Sequence, residues 1–489
     1  MKRGKTLGLL TLVLLLLVGG TVLAKNQTAK VTEPEEEERA VLYEEDTGLL
    51  SALSWTKDGE TVTLVKNGED WNWKEDPDFP LSNTKAEMLV SALTGLRAEK
   101  TIDRPEALSV YGLDEPALQI TVTADTETSF RIGSGKSLDG YHYLSNGDGK
   151  VYLVDENLTE RFSCGIYDLI RKESLPDMSK TLSMKVLSKV QNYEIDHLED
   201  SGIDYTDQYE WFLKEEDGWL TLDSSLTEDF ADQVRILAWQ ECVDYRADDA
   251  ALAEYGLDQP AVTVELRYTE DRQEATEILA EDGNPIYDTV EEEKTFLLEI
   301  GDYADASCCY ARIAGSAMVY KISSSVCDAL LYMSYDELRP KDVIRLDTEE
   351  LTEIEVTLDG KIHTFRKGRK NAADETENGG AETIYLLEGE ETAFADVLNS
   401  LQGMLSDRYA DGETPKREAV LSLVFHRENE KHPRTELVFY SYDSSDCLVT
   451  LDGKSTVFVD RYSVNSLVDR IRSLTGGEGV QTSGQETEE

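Results

Sequence analysis

Apolar and polar residues alternate through ETVTLVKN, from Glu60, until Asn67-Gly68 breaks the pattern and a second strand carries Trp71 and Trp73. A period of two interrupted by Asn-Gly predicts a β-hairpin. The period then changes. In SNTKAEMLVSALTGLRAEKTI, from Ser82, residues Met88, Leu89, Ala92, Leu93 and Leu96 recur at helical spacing, which predicts an amphipathic helix. The same succession returns at YEWFLKEEDGWLTLD, from Tyr209, which turns at Asp217-Gly218 and places Trp219 on the returning strand. LTEDFADQVRILAWQECVDY follows, with Phe230, Val234, Leu237, Ala238 and Trp239 along one side. Thr227 or Ser225 is the expected cap of this second helix, since a hydroxyl there can accept from an unpaired first-turn amide.

After each helix comes one phrase in two spellings, YGLDEPALQITVT from Tyr111 and YGLDQPAVTVELRY from Tyr255. Gly112 and Gly256 can take a positive φ, and Pro116 and Pro260 steer the chain into a strand. Tyr111, Leu113, Tyr255 and Leu257 are placed to pack this corner against the helix just completed. A structural corner is the economical reading, ahead of a direct ligand role. Each copy then continues alike: SFRIGSG, YHYLS and KVYLVDENLTERF in the first, TFLLEIGDY, CYARIAG and MVYKISSSVCDALL in the second. Short strands followed by a helix starting near Asn157 or Ser323 complete an α+β unit.

A third, divergent copy opens with IEVTLDGKIHTFRK, returns through ETIYLLEG and reaches the helix FADVLNSLQGMLSDRY. Arg408-Tyr409-Ala410 stands where the others have Tyr-Gly-Leu. A polar insertion, RKNAADETENGGA, separates its first strands and reads as a surface loop. The expected organisation is an anchor at 1–24, an acidic spacer at 25–46, repeat units at 47–178, 179–340 and 341–475, and a disordered tail at 476–489. The fold class is α+β: an N-terminal transmembrane helix followed by tandem units, each of antiparallel strands packed with two helices. Alternation in the linking stretches suggests that the units are butted together and share sheet edges.

The N-terminus sets the expected location. Lys2, Arg3 and Lys5 precede an uncharged run from Thr6 to Ala24; as a helix it reaches about 28 Å, enough for a bilayer core. Basic residues on the leading side keep that end in the cytoplasm, so the reading is a single-pass cell-membrane protein with an extracytoplasmic body. A cleaved signal peptide ending at Val22-Leu23-Ala24 competes with the retained anchor. The formal charge of -51 excludes nucleic acid as a partner, because a phosphate backbone would be repelled.

Little in the chain points to chemistry. RIGSGKSLDG lacks the leading glycine that a phosphate loop needs, and SNGDGKVY lacks calcium-loop spacing. Five scattered histidines have no metal spacing, with His426 and His432 expected exposed beside a turn, and the six cysteines form no CxxC pair. No catalytic, cofactor or metal residue is therefore assigned. Trp71, Trp73 and Trp219 are candidates for an aromatic binding surface, although packing within hairpins accounts for them more simply.

The hairpin openings, the two YGLD corners, and the Ile-Gly element followed by VYLV or MVYKI resemble a bacterial domain family of unknown function, number 4340. The resemblance covers about Glu60 to Leu474, and copy three is its least typical part. It implies a membrane-anchored exported protein, often accompanying ABC-type transporter components akin to gliding-motility auxiliary proteins; it supplies no catalytic residues. The functional expectation is a non-catalytic accessory or scaffolding subunit. A module for envelope polymer or peptide is the alternative, and an extracytoplasmic hydrolase the remote one.

Overall fold

The computed structural model describes residues 39–43, 47–155, 157–279, 285–370, 382–406 and 408–476. The expected anchor, most of the acidic spacer, the insertion beyond Lys370 and the tail from 477 lie outside the described residues. Contacts group residues up to Glu173 with 241–245 as one unit and the remainder as a second.

In the first unit, alternating stretches form β1 (Ala52–Lys57), β2 (Glu60–Asn67), β3 (Asp70–Trp73), β4 (Lys100–Ile102), β5 (Leu118–Thr123), β6 (Glu127–Lys136), β7 (His142–Ser145) and β8 (Val151–Val154). They make one sheet in the order β3-β2-β1-β5-β6-β7-β8-β4. The Asn67-Gly68 turn pairs Lys66 with Trp71 across the hairpin. The first helix, Asn83–Ser91, is capped by Ser82 and buries Ala86, Leu89 and Val90. Met88, expected on its apolar side, is 61% exposed.

The second unit holds copies two and three. Its first strands are β9 (Lys180–Ser188), β10 (Tyr193–His197), β11 (Trp211–Glu215) and β12 (Gly218–Leu222). β13 (Glu241–Asp244) is the stretch that groups with the first unit. After it come β14 (Val262–Leu279), β15 (Pro285–Tyr303), β16 (Cys308–Ile313) and β17 (Val319–Ser323). The run β12-β11-β10-β9-β14-β15-β16-β17 repeats copy one as far as β8, with one strand more before the corner strand. The helix Ser224–Arg235 is capped by Asp223, whose side chain accepts from the Leu226 amide, and not by Thr227 or Ser225. A carboxylate one residue before the helix answers both the open amide and the positive helix end.

Copy three forms β18 (Leu351–Leu358), β19 (Lys361–Lys370), β20 (Glu382–Leu387), β21 (Glu390–Thr392), β22 (Ala419–Arg427), β23 (Arg434–Ser441), β24 (Asp446–Leu451) and β25 (Lys454–Asp460), ordered β21-β20-β19-β18-β22-β23-β24-β25. Helices Phe394–Gln402 and Arg461–Leu474 cover one face, burying Phe394, Leu398, Val464 and Ile471 with the strand residues Ile354, Val356 and Phe425. Each such side chain contributes about 1.5–3 kcal/mol by leaving water.

Two expectations are corrected. The class is mostly antiparallel β rather than α+β: 25 strands stand against eight α-helices, the longest of 14 residues, among the described residues. No helix among those residues is long and apolar enough to cross a membrane, so a transmembrane helix is not part of the described fold. Copies two and three also share no sheet edge among the described residues. Copies two and three meet through a common core, where Tyr205, Tyr209 and Phe212 from copy two pack among copy-three residues. The Arg345 amide donates to the Tyr205 hydroxyl at 2.7 Å, and the Tyr209 hydroxyl donates to Asp342 at 3.2 Å. Burial pushes both phenols well above their ordinary range, so they stay neutral.

Candidate functional site

The repeated corner is a helix stop resting on a strand. In copy one a short turn, Leu108–Tyr111, ends at Gly112 with φ 68°. The Leu113 amide donates to the Leu108 carbonyl at 3.0 Å and that of Gly112 to Ser109 at 3.2 Å. Copy two repeats both bonds, from Leu257 to Leu252 at 2.8 Å and from Gly256 to Ala253 at 3.2 Å, with Gly256 at φ 69°. This is the Schellman arrangement. Leu113 and Leu257 are buried, while Pro116, Pro260, Tyr111 and Tyr255 are half-buried. The helix being stopped is a separate short one, not the amphipathic helix expected to run into the corner.

The Ile-Gly element explains itself here. A methyl group on Gly133 would sit 2.2 Å from the Tyr111 carbonyl oxygen, and one on Gly301 would sit 2.1 Å from that of Tyr255. The corner and the strand touch through bare backbone, so both glycines are required together. The tyrosine rings also find matching partners: Tyr111 meets Tyr143 at 5.1 Å, and Tyr255 meets Tyr310 at 4.7 Å. In copy one His142 is buried beneath the corner, 3.4 Å from the Gly133 carbonyl.

Each tryptophan packs within its own copy. Trp71 is 1% exposed and its indole donates to Glu87 at 2.8 Å. Trp73 is half-buried against Phe79. Trp219, in the other unit, packs on Phe212. Lys66 over Trp71 and Lys214 over Trp219 mark them as equivalent hairpin positions. The expected aromatic surface is corrected to separate packing sites, because each ring completes its own hairpin.

What the copies do share is a groove between their two helices. Copy three has one of about 290 Å³, lined by Ser400, Leu405, Tyr462, Ser466 and Arg470. Copy one has about 260 Å³ beside Leu96, Arg97, Asp155 and Arg161. Copy two has about 490 Å³ and a more apolar lining, with Leu226, Phe230, Ala329, Tyr332 and Met333. In copy three Ser400 donates to the Asp396 carbonyl at 2.8 Å and accepts from Arg470 at 2.7 Å. Its hydroxyl is engaged in tying the helices rather than activated by a base.

The Cys242 thiol is equally quiet. Cys242, Cys309, Cys327 and Cys447 are buried free cysteines, and burial pushes the Cys242 thiol up to about 12, away from the nucleophilic thiolate. Asp148, in the calcium-like stretch, accepts from the Tyr152 hydroxyl and from the Lys150 amide at 2.9 Å, as a turn residue does.

A profile described as Domain of unknown function (DUF4340) matches residues 71–260 and again 211–422. The chain belongs to the DUF4340 family. Each match starts in the opening hairpin of one copy and ends at or just beyond the corner of the next, at Pro260 and at Ser422 on β22, so the family's unit overlaps successive copies here. No curated protein and no solved structure matched the chain.

Two features escaped the sequence reading. Glu353, Glu355 and His426 place one ligand atom each within 4.8 Å of one another, from two strands that share one ladder. His426 and His432, expected exposed, are both half-buried, and His432 lies 3.2 Å from the Gly202 carbonyl. The second missed feature is the length of β14 and β15. They pair from Val262↔Ile300 out to Leu279↔Pro285, whereas β9 accompanies them only to Thr269. Beyond that point a two-stranded ribbon stands without a third strand among the described residues.

Proposed function

We propose that this DUF4340 protein is a non-catalytic binding subunit, exported and held at the cell envelope, which serves as an accessory or scaffolding part of a larger complex such as an ABC-type transporter. The observation that carries this reading is the ribbon of copy two. Residues 270–294 contain ten acidic residues against Arg272 and Lys294. Both cations are engaged by neighbours on the ribbon itself, Arg272 with Glu274 and Lys294 with Glu270 and Glu292. Ile286, Tyr287 and Val290 are exposed among the carboxylates.

Charges on a free strand edge also prevent unwanted pairing. A ribbon of this length needs a further reason, since the matching hairpin of copy one turns within three residues. An acidic, partly apolar ribbon fits a basic surface on a partner protein, where complementary charge steers docking and fixes register. Export is part of the proposal and rests on Lys2, Arg3 and Lys5 ahead of the uncharged run at 6–24.

The test compares the native chain with a variant whose residues 270–292 are replaced by Ala-Asp-Thr, which keeps the Thr269–Glu293 pair, each expressed at native level and purified from detergent-solubilised membranes. A permease or ATPase retained by the native chain, released at about 0.5 M salt as exposed ion pairs are screened, and lost on trimming is the expected result. Repeated recovery of the native chain alone would refute an accessory role. Partner retention unaffected by trimming would remove the ribbon from it.

A further inference from the structure

We propose that Glu353, Glu355 and His426 form a binding site for a divalent first-row transition ion, with zinc as the probe. The inference is independent of the accessory role above. Glu353 and Glu355 are alternate residues of β18, and the residues between and after them, Ile354 and Val356, are fully buried in the core. The two carboxylates therefore share the face of the sheet opposite the helices, as the period of two requires. On β22, His426 is the ladder partner of Glu353, and its neighbour Phe425 is buried against the core. The imidazole lies on the same face as the acids.

The ligand atoms have the right chemistry and spacing. His426 Nε2 lies 3.4 Å from Glu355 Oε1, and all three donors fall within 4.8 Å, so that small rotations of the partly exposed carboxylates bring them to bonds of about 2.0–2.2 Å around a single ion. His426 Nε2 is itself sealed from solvent and has no hydrogen-bond partner. It meets Glu355 at ion-pair distance without hydrogen-bond geometry, and an ion between it and the two carboxylates would complete its coordination. One imidazole and two carboxylates, without thiolate, suit zinc or manganese rather than soft ions, and three protein ligands leave further positions for water.

The surrounding charges set how the site behaves. Arg366, the ladder partner of Glu353 on β19, donates to its Oε2 at 2.8 Å and is 74% exposed. Arg434, opposite His426 on β23, donates to Glu436 at 3.1 Å. Arg366 competes with the ion for one carboxylate oxygen, and its exposed side chain can swing away.

Titration of the full chain with Zn²⁺ by calorimetry, in a non-chelating buffer with excess Mg²⁺ to occupy the diffuse acidic surface, tests the site. The expected result is one saturable equivalent. His426→Gln and Glu355→Gln should each weaken it by about 100-fold or more, at least the loss seen when an outer partner of a metal ligand is removed. Arg366→Ala should leave binding intact or strengthen it, and unchanged circular dichroism of the variants would show that they fold. Absence of the saturable equivalent, or its persistence at equal affinity in folded His426→Gln and Glu355→Gln, would overturn the proposal.

Discussion

Copies one and two build the same corner from the same parts and then diverge. In each, a left-handed glycine ends a short helical turn, and a second glycine admits the tyrosine carbonyl at about 2 Å from where a side chain would begin. Yet from the corner proline to that second glycine the chain takes 17 residues in copy one and 41 in copy two. The difference teaches where the fold is constrained. Backbone packed against backbone leaves no room for substitution, whereas a hairpin tip facing solvent can lengthen at little cost. Copy three completes the lesson, because it has lost Tyr-Gly-Leu at Arg408-Tyr409-Ala410 and no longer has Ile-Gly on its second corner strand, which reads VFYSY. The two glycines disappear together, as their contact implies.

The largest test of this comparison is Gly301→Ala and, separately, Gly133→Ala. Each added methyl meets a backbone carbonyl that cannot rotate away, so a loss of about 3 kcal/mol in urea unfolding is expected, at the upper end for overpacking. Midpoints unchanged from the native chain would show that the two glycines are not coupled to the corner.

Substituting the turning glycines is expected to be milder. Gly112→Ala forces a left-handed φ on alanine and should cost about 1–2 kcal/mol. Gly256→Ala should cost more, because its methyl would also lie 2.6 Å from the Asp302 carboxyl carbon, while at Gly112 the nearest atom is the Ser134 hydroxyl at 3.5 Å. Adding Asp302→Ala to Gly256→Ala should bring the two copies level. If the double variant remained as unstable as Gly256→Ala alone, the side-chain contact would not account for the difference.

The closing helices offer a smaller contrast, five residues at Asn157–Arg161 against 14 at Arg461–Leu474. Asp460 caps the longer one, accepting from the Ser463 amide at 2.8 Å, and that bond with the Ser463 side chain holds its carboxyl below the usual range. Asp460→Ala should cost about 1 kcal/mol at neutral pH. A depressed folded pKa contributes stability that is full above the unfolded value of about 3.9 and fades as pH falls through the lower folded value. Thermal unfolding of the native chain and Asp460→Ala should therefore converge in strong acid; a constant gap across that range would assign the effect to something other than the ionised cap.

Trimming the ribbon to the copy-one turn should change stability least, within about 0.5 kcal/mol, as expected where exposed residues away from a core are altered. A larger loss would show that the ribbon supports the sheet, and the contrast between constrained corner and free hairpin would fail.

Much of the repeat was legible. Asn67-Gly68 and Asp217-Gly218 announced hairpins because few residues tolerate those turns, and the stop at Tyr-Gly-Leu was readable because only glycine takes its φ cheaply. The cap at Asp223 was not legible, since Ser, Thr and Asp crowd that helix start and sequence alone does not rank them. The end of the first helix at Ser91 is not legible, because the apolar residues continue at helical spacing to Leu96. The extra strand in copies two and three was invisible, because strand count along a sheet is settled by which edges pair. His426 looked exposed for the same reason: its neighbours come from β18, some 70 residues earlier.

Local chemistry along the chain thus determined the repetition, the turns, the corner and the strongly acidic character, since each depends on residues close in sequence. Only tertiary structure decided that the tyrosine carbonyl rests on a distant glycine, that the tryptophans complete separate hairpins, and that two glutamates and a histidine meet on one open sheet face. Those outcomes follow from ladder register and side-chain burial, which bring together residues that no local pattern connects.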